Sequence, residues 1–271
     1  MATPEKKTGP TREGEISPVA QNYLLTLYMM KEEEDGPVTM TKLAEQLAAS
    51  PATEHLGTSL ASVAGMIRRM KRGGLLDILP SKELAFTRAG LHEAQAVMRR
   101  HQLAERLLVD VLGVELRRVH AEAHRLEHAI SPDVERKIAE RLGNPERCPF
   151  GHAIPGSGYT HPATALPLVR AEPGTALVVE RIPEENPKLV DYLAQHGVLP
   201  GATMTVREVA PYRGTITLDV QGVEVVVGLQ VAPRILVRPA DGRAVAPKAL
   251  REGGQPPRPA ATEKKQAQAR A

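Results

Sequence analysis

The hydrophobic pattern of this 271-residue chain changes sharply part-way along it. Up to about Leu142, apolar residues recur every three or four positions, a spacing typical of helices that bury one face. From Leu168 to Pro239 they alternate in short runs, which is typical of β-strands. Residues 151–167 lie between the two patterns in a stretch rich in glycine and proline, and they predict a linker. The chain is therefore predicted to be mainly α-helical, with one small β-barrel domain at residues 168–239.

Composition limits the interior of the protein and its compartment. Tryptophan is absent and phenylalanine occurs only at positions 86 and 150, so the cores must be aliphatic. Cys148 is the only cysteine, which excludes an intramolecular disulfide and fits a reducing compartment. The sequence has no apolar signal segment and no run of 18 apolar residues. We therefore expect a cytoplasmic protein with no membrane partner.

Charge permits a nucleic-acid partner. The net charge is +3 and the isoelectric point is near 9.0, which allows binding to nucleic acid without requiring it. Residues 1–16 are polar and predict a disordered tail. Residues 240–271 carry seven Lys and Arg against three Asp and Glu, and they predict a disordered basic tail.

Residues 17–87 predict a winged helix-turn-helix. A first helix begins at Ser17-Pro18, a short second helix follows, and a third spans about Ser59 to Arg72 before a Gly-Gly turn and a small hairpin. The third helix carries Arg68, Arg69, Lys71 and Arg72 near its end. On its own, such a run is often only a solvated helix face, but its place before the hairpin favours contacts with DNA phosphates.

Histidine and glutamate recur at helical spacing in the next segment. A helix over about Arg88 to Leu112 would place His101 and Glu105 on its apolar stripe, where unpaired polar groups are costly. A helix over about Val114 to Ile130 would align four more such residues on one face: His120, His124, Glu127 and His128. Imidazole and carboxylate together are a ligand set for a first-row divalent metal, so the pattern favours a metal site over unrelated surface residues.

One short motif within this stripe suggests a different function. His124-Arg-Leu-Glu127-His128 matches the pattern of inverted zinc peptidases, in which two histidines bind zinc and the glutamate activates water. That reading leaves His101, Glu105 and His120 without a role, and peptidase chemistry has no use for a basic helix-turn-helix. A zinc hydrolase is therefore the remote alternative.

Three stretches identify a family. The chain resembles the diphtheria-toxin-repressor/manganese-transport-regulator (DtxR/MntR) family of metal-dependent transcriptional repressors over about residues 17–239. The resemblance is most specific in Met98–Leu108, Val119–His128 and Cys148–Pro155, and Tyr192–Ala202 resembles the SH3-like, FeoA-like third domain. It implies a winged helix-turn-helix over 17–87, a helical dimerisation and metal-binding domain over 88–150, and a FeoA-like barrel over 168–239.

The resemblance also implies two metal sites. The first would use His101, Glu105, His120 and an acidic residue of the third domain, which by position is Glu185 or its neighbour Glu184. The second would use Asn22 of the first helix with His124, Glu127 and His128. Iron-type members carry Met and Cys at the positions of Asn22 and His124, and manganese-type members carry Asp and Glu. This chain matches neither type, and the absence of sulfur there favours Mn(II), with Fe(II) and Zn(II) as alternatives.

The function implied is repression through operator DNA. The base-reading positions of the third helix correspond to Ala61, Ser62 and Gly65, and Thr41 is also placed at the DNA surface. The segment from Ala49 to Ser59 is longer than the tight turn usual in the family. We expect a homodimer that binds double-stranded operator DNA when a divalent metal is bound, with no small-molecule substrate and no catalysis. A winged-helix regulator with a purely structural metal is the remaining alternative.

Overall fold

The computed structural model describes residues 16–33, 36–49 and 57–242. Almost all of both predicted tails, and most of the long segment between Ala49 and Ser59, lie outside these residues. Within the described part, three helical and β regions follow one another in the predicted order. No helix there combines the length and the apolar character needed to cross a membrane.

The N-terminal domain is the predicted winged helix-turn-helix. It consists of α1 (Pro18–Glu33), α2 (Met40–Ala49), α3 (Leu60–Arg72) and an antiparallel hairpin of β1 (Leu76–Ile78) and β2 (Leu84–Phe86). Ser59 caps α3 through a hydrogen bond from the Ser62 backbone N–H, 3.2 Å long. The buried side chains are mostly aliphatic, as the composition requires, and they come from all three helices and the hairpin.

The second region is helical. It contains α4 (Arg88–Arg106), a wider π-helical turn over Leu107–Val111, α5 (Leu116–Leu126) and α6 (Pro132–Arg141). The second predicted helix ends four residues earlier than expected, at Leu126 instead of Ile130. The chain must leave the helix there because Ser131 takes an extended conformation to cap α6, with Pro132 as that helix's first residue.

The β domain is one antiparallel sheet with the strand order β3-β8-β4-β5-β6-β7. Its strands are β3 (Leu166–Pro167), β4 (Ala176–Arg181), β5 (Thr203–Ala210), β6 (Thr215–Val220), β7 (Val223–Gly228) and β8 (Leu236–Pro239), and α7 (Pro187–Gln195) lies between β4 and β5. The register of β4 against β8 shifts between Val179 and Arg181. The chain leaves the sheet directly after this irregularity and carries Glu184 and Glu185 with it.

The segment predicted as a linker is packed against the other regions. His152 and Ile154 are buried, and Ile154 belongs to a cluster with Leu103 of α4 and Ala139 of α6. Leu166 and Pro167, also in that segment, form β3 and pair with β8. Residues 151–167 are therefore part of the fold: glycine and proline here set tight turns, and they do not separate two independent bodies.

We expect Gly151→Ala to destabilise the protein strongly. Gly151 has φ +96°, and a Cβ there would lie 2.0 Å from the Glu180 carbonyl oxygen. The left-handed backbone costs an L-residue about 1–2 kcal/mol, and the clash adds about 1–3 kcal/mol. The thermal unfolding midpoint should therefore fall by several degrees. Gly158→Ala is the matched control, because Gly158 has φ +79° with nothing within 4 Å of its Cβ position. Equal midpoints for the two variants would contradict the packing described.

Candidate metal centre and DNA-binding surface

Five side chains form a buried inner cluster between α4 and α5: His101, Glu105, His120, His124 and Glu127. The Nδ1 atom of His101 lies 2.6 Å from Glu127 Oε2, and its Nε2 atom lies 3.0 Å from Glu105 Oε1. His120 lies between two other imidazoles, with Nδ1 3.2 Å from His101 Nε2 and Nε2 3.2 Å from His124 Nε2. His101, Glu105 and Glu127 are wholly buried. The helical spacing therefore brings these residues together, as the sequence predicts.

Burial and mutual charge shift the titration of this cluster. Burial disfavours the charged imidazole of His101, but the charge of Glu105 and the hydrogen bonds that His101 donates to Glu105 and Glu127 outweigh it, so the pKa of His101 is raised well above its ordinary value. Burial alone would raise the pKa of Glu105, yet the charge of His101 lowers it to about 2. Burial lowers the pKa of His124 to about 4, which keeps that imidazole neutral and able to donate a lone pair to a metal.

The β domain contributes one acidic residue to this cluster, and it is Glu184. Glu184 Oε1 lies 3.6 Å from His120 Nδ1, and candidate ligand atoms of His101, Glu105, His120 and Glu184 all lie within 4.8 Å of one another. Glu185, the residue favoured by position, instead forms an ion pair with Arg234. Consecutive residues leaving β4 face different ways, so the position of the acidic pair in the sequence could not separate them.

His128 faces the N-terminal domain and not the inner cluster. Its Nε2 atom lies 3.1 Å from Asn22 Oδ1, and its Nδ1 atom lies 2.7 Å from Gln21 Oε1. Glu127 connects the two places, because its Oε1 is 3.3 Å from His128 Nε2. The predicted stripe is therefore divided at the end of α5. Gln21 was not predicted, and only its position beside Asn22 in α1 could have suggested it.

Several buried oxygen and nitrogen atoms are suited to bind a cation. Glu105 Oε2, Glu184 Oε1 and His152 Nε2 are buried and have no hydrogen-bond partner among the described residues. Buried oxygen and nitrogen atoms of this kind are normally satisfied, and a coordinated ion would use their lone pairs. Cys148 and His152 lie beside this group, with Cys148 Sγ 3.9 Å and His152 Nε2 3.7 Å from Glu184 Oε2. Neither residue is among the predicted ligands, although both lie in Cys148–Pro155, one of the stretches that carry the family resemblance.

The predicted DNA-contacting residues lie on the outer face of the N-terminal domain. Thr41, Ala61, Ser62, Arg68, Arg69 and Arg72 are exposed, and Gly65 is half-buried. A shallow groove of about 520 Å³ between α1 and α3 is lined by Ala61, Ser62, Gly65 and Arg69. Small side chains therefore lie next to arginine on one surface, which suits close approach to DNA with backbone contacts at its edge.

Comparison with known proteins identifies related domains and sequences. Three family models match: the iron dependent repressor N-terminal DNA binding domain over residues 15–84, the iron dependent repressor metal binding and dimerisation domain over 87–156, and the FeoA domain over 166–239. The chain is 38% identical over 223 residues to the iron-dependent repressor IdeR of Mycobacterium tuberculosis, covering 78% of this chain and 92% of that protein. This chain belongs to the iron-dependent repressor (diphtheria toxin repressor) family.

Two further relatives show the range of the family. This chain is 42% identical over 136 residues to the diphtheria toxin repressor of Corynebacterium glutamicum. The match covers 50% of this chain and 55% of that protein. A solved manganese-dependent transcriptional repressor in complex with manganese superimposes with a TM-score of 0.72 at 30% identity, across 81% of this chain and 99% of the other. Members are metal-dependent transcriptional repressors and not enzymes.

An ion-pair group, which we call the Arg234 clamp, joins the repressor's β domain to α1. Arg234 binds Glu33, with Nε 2.9 Å from Glu33 Oε2, and it also pairs with Glu185. The side chains of Glu33 and Glu185 are only 7% and 12% exposed. Burial, with Glu185 nearby, raises the pKa of Glu33 to about 7. The guanidinium therefore neutralises two carboxylates that would otherwise repel each other.

We expect Arg234→Ala to loosen the C-terminal half of α1. Without the guanidinium, Glu33 and Glu185 are left unpaired in a partly buried place, at a cost of about 1–2 kcal/mol, and amides near Met29–Glu33 should exchange with solvent roughly tenfold faster. Hydrogen exchange measured by mass spectrometry checks this. Arg238→Ala is the control, because Arg238 is equally exposed, at 32% against 33%, but pairs with Glu180 inside the β domain. Unchanged exchange in α1 would show that the clamp does not hold this helix.

Proposed function

We propose that this protein represses transcription by binding operator DNA as a homodimer in the cytoplasm, and that a divalent transition metal activates it. The observation that carries this proposal is the buried cluster itself. It brings carboxylates and imidazoles from α4, α5 and the β domain to one place, and it contacts α1 of the DNA-binding domain through Glu127 and His128.

The proposed ligands fall into two groups. The first group is His101, Glu105, His120 and Glu184, with Glu184 replacing Glu185 on the ground of distance. The second group is Asn22, Glu127 and His128, to which the family resemblance adds His124. A divalent ion bound there supplies positive charge that compensates the buried carboxylates and holds segments distant in the sequence together. Because Asn22 and Gln21 are residues of α1, His128 connects this centre to the DNA-binding domain.

Activation requires that the DNA-competent arrangement bind metal more tightly than the alternatives. The contacts between His128 and α1 give the protein such a difference, because they exist only when α1 lies against the end of α5. The Arg234 clamp holds the same helix from the β domain. Two independent contacts therefore fix the orientation of α1. The orientation of α1 in turn sets the spacing of the two DNA-binding domains in a dimer.

The rival functions fit this geometry less well. In a zinc peptidase Glu127 would activate water, but its carboxylate is wholly buried and lies 2.6 Å from Nδ1 of His101. A purely structural metal remains the distinct alternative, and it predicts equal DNA affinity with and without chelator. The group of His101, Glu105, His120 and Glu184 offers nitrogen and oxygen in equal number, so the ion bound there can be Mn(II), Fe(II) or Zn(II).

We expect metal to raise DNA affinity at least tenfold. The binding sequence would first be enriched from random duplex DNA with protein and Mn(II), Fe(II) or Zn(II), and affinity then measured by fluorescence anisotropy with and without chelator. Glu184→Gln should lower the stoichiometry of Mn(II) binding in calorimetry, whereas Glu185→Gln, its matched control, should not. Equal affinity with and without chelator would reject metal activation. An effect of Glu185→Gln alone would return the ligand role to that residue.

We expect the exposed arginines of α3 to contact phosphates. Arg69→Ala and Arg72→Ala should each weaken binding to every DNA sequence and reduce the slope of log affinity against log salt concentration by roughly 1, because one fewer counterion is released. Arg136→Ala is a control, since Arg136 is exposed on α6 away from the helix-turn-helix. An unchanged salt slope in both α3 variants would mean that these arginines are only part of a solvated face.

A further inference from the structure

The imidazole of His124 faces into the inner cluster and not toward the N-terminal domain. Its Nε2 atom lies 3.2 Å from His120 Nε2, and its ring centre is 4.7 Å from that of His101. Among the described residues, no hydrogen bond or ion pair joins His124 to Asn22 or His128, and the one member of its predicted site that it contacts is Glu127. Its side chain is 9% exposed, so this orientation is held by packing.

Glu127 orients two of the three imidazoles. Its Oε2 accepts a hydrogen bond from Nδ1 of His101 at 2.6 Å, and its Oε1 lies 3.3 Å from Nδ1 of His124. A carboxylate that holds one ring nitrogen fixes the tautomer and leaves the other nitrogen free for a metal. The Nε2 atoms of both rings lie 3.2 Å from His120, that of His101 from Nδ1 and that of His124 from Nε2. The Nε2 atom of His101 also lies 3.0 Å from Glu105 Oε1.

We propose a further metal site made of three imidazoles, His101, His120 and His124, with Glu127 as their orienting carboxylate. Candidate ligand atoms of the three lie within 4.8 Å of one another. His101 approaches Nδ1 of His120 and His124 approaches its Nε2, each at 3.2 Å, so a single ion would use one of these two nitrogens. Nitrogens bound at about 2.0–2.1 Å to one tetrahedral ion lie about 3.3–3.4 Å apart, so one pair already has the required spacing and the third ring must turn toward the ion.

This donor set selects a particular class of ion. Three neutral imidazoles with one open position suit Zn(II), Co(II) or Fe(II), whereas Mn(II) prefers carboxylate and other oxygen donors. The site shares His101 and His120 with the group that includes Glu105 and Glu184, so one ion at a time can use those two rings. Which group is filled then depends on the ion: nitrogen-preferring ions take His124, and oxygen-preferring ions take Glu184.

The inference rests on the proposal that the inner cluster binds metal, but not on DNA binding, and its test separates the two. The probe is Co(II), whose visible absorption is much stronger in a tetrahedral nitrogen-rich site than in a six-coordinate one. The full chain is titrated with Co(II), and the bound ion is displaced with Zn(II). His124→Ala should abolish the strong absorption and weaken Co(II) binding by more than about 100-fold, beyond the roughly 10–100-fold expected for loss of an orienting partner in Glu127→Gln.

Two further variants keep the test decisive. Glu184→Gln removes a ligand of the alternative group only, and it should retain the Co(II) absorption. His92→Ala is the matched histidine control, because the His92 side chain is 81% exposed and outside the cluster. Thermal midpoints of all variants are compared, so that a folding defect in His124→Ala is visible, and His124→Gln then serves as the conservative replacement.

The outcomes are distinct. Loss of the absorption in His124→Ala or His124→Gln, with retention in Glu184→Gln, supports the three-imidazole site. The reverse pattern, or a weak six-coordinate spectrum in the unaltered protein, overturns it and leaves metal activation of DNA binding standing. If calorimetry finds no Co(II), Zn(II) or Mn(II) bound to the unaltered protein, the proposed function fails together with this site.

Discussion

The contact between His101 and Glu127 is the interaction on which the rest of the centre depends. It joins the middle of α4 to the end of α5 through a wholly buried hydrogen bond, with His101 Nδ1 2.6 Å from Glu127 Oε2. Charged and polar groups in such a place are tolerated only when each satisfies another. Because Glu127 also contacts His124 and His128, the positions of these two imidazoles depend on the carboxylate that this pair holds. Removing it would leave several uncompensated groups in an apolar core.

The α-helical and β patterns predict the fold class correctly because the period of buried residues is a property of the sequence itself. The predicted helix positions therefore agree with the structure to within a few residues, and the strands lie within the predicted β region. The packing of residues 151–167 and the two-residue strand β3 could not be predicted, since glycine, proline and a run of two residues have no period. Those features exist only because distant partners, β8 and the helical core, are present.

The candidate site shows the same division. Spacing along α4 and α5 is enough to gather five residues on facing surfaces, because helix geometry fixes which side chains are neighbours. It does not fix which way a ring turns near the end of a helix, so His124 and His128 could not be assigned to different partners from the sequence. The choice between Glu184 and Glu185 likewise depends on how the backbone leaves β4, which the irregular register there controls.

Because Glu184 and Glu185 are adjacent, the number of residues in the loop after β4 matters as much for these contacts as the identity of those residues. One of the two carboxylates faces the histidines of the helical region and the other faces Arg234 and α1, with a single peptide bond between them. Other positions of the loop can be substituted without moving these carboxylates. A one-residue insertion or deletion between Ile182 and Asn186, in contrast, would shift which residue faces the histidines and which faces Arg234. We therefore expect this loop, among lineages that keep both contacts, to vary in sequence far more readily than in length.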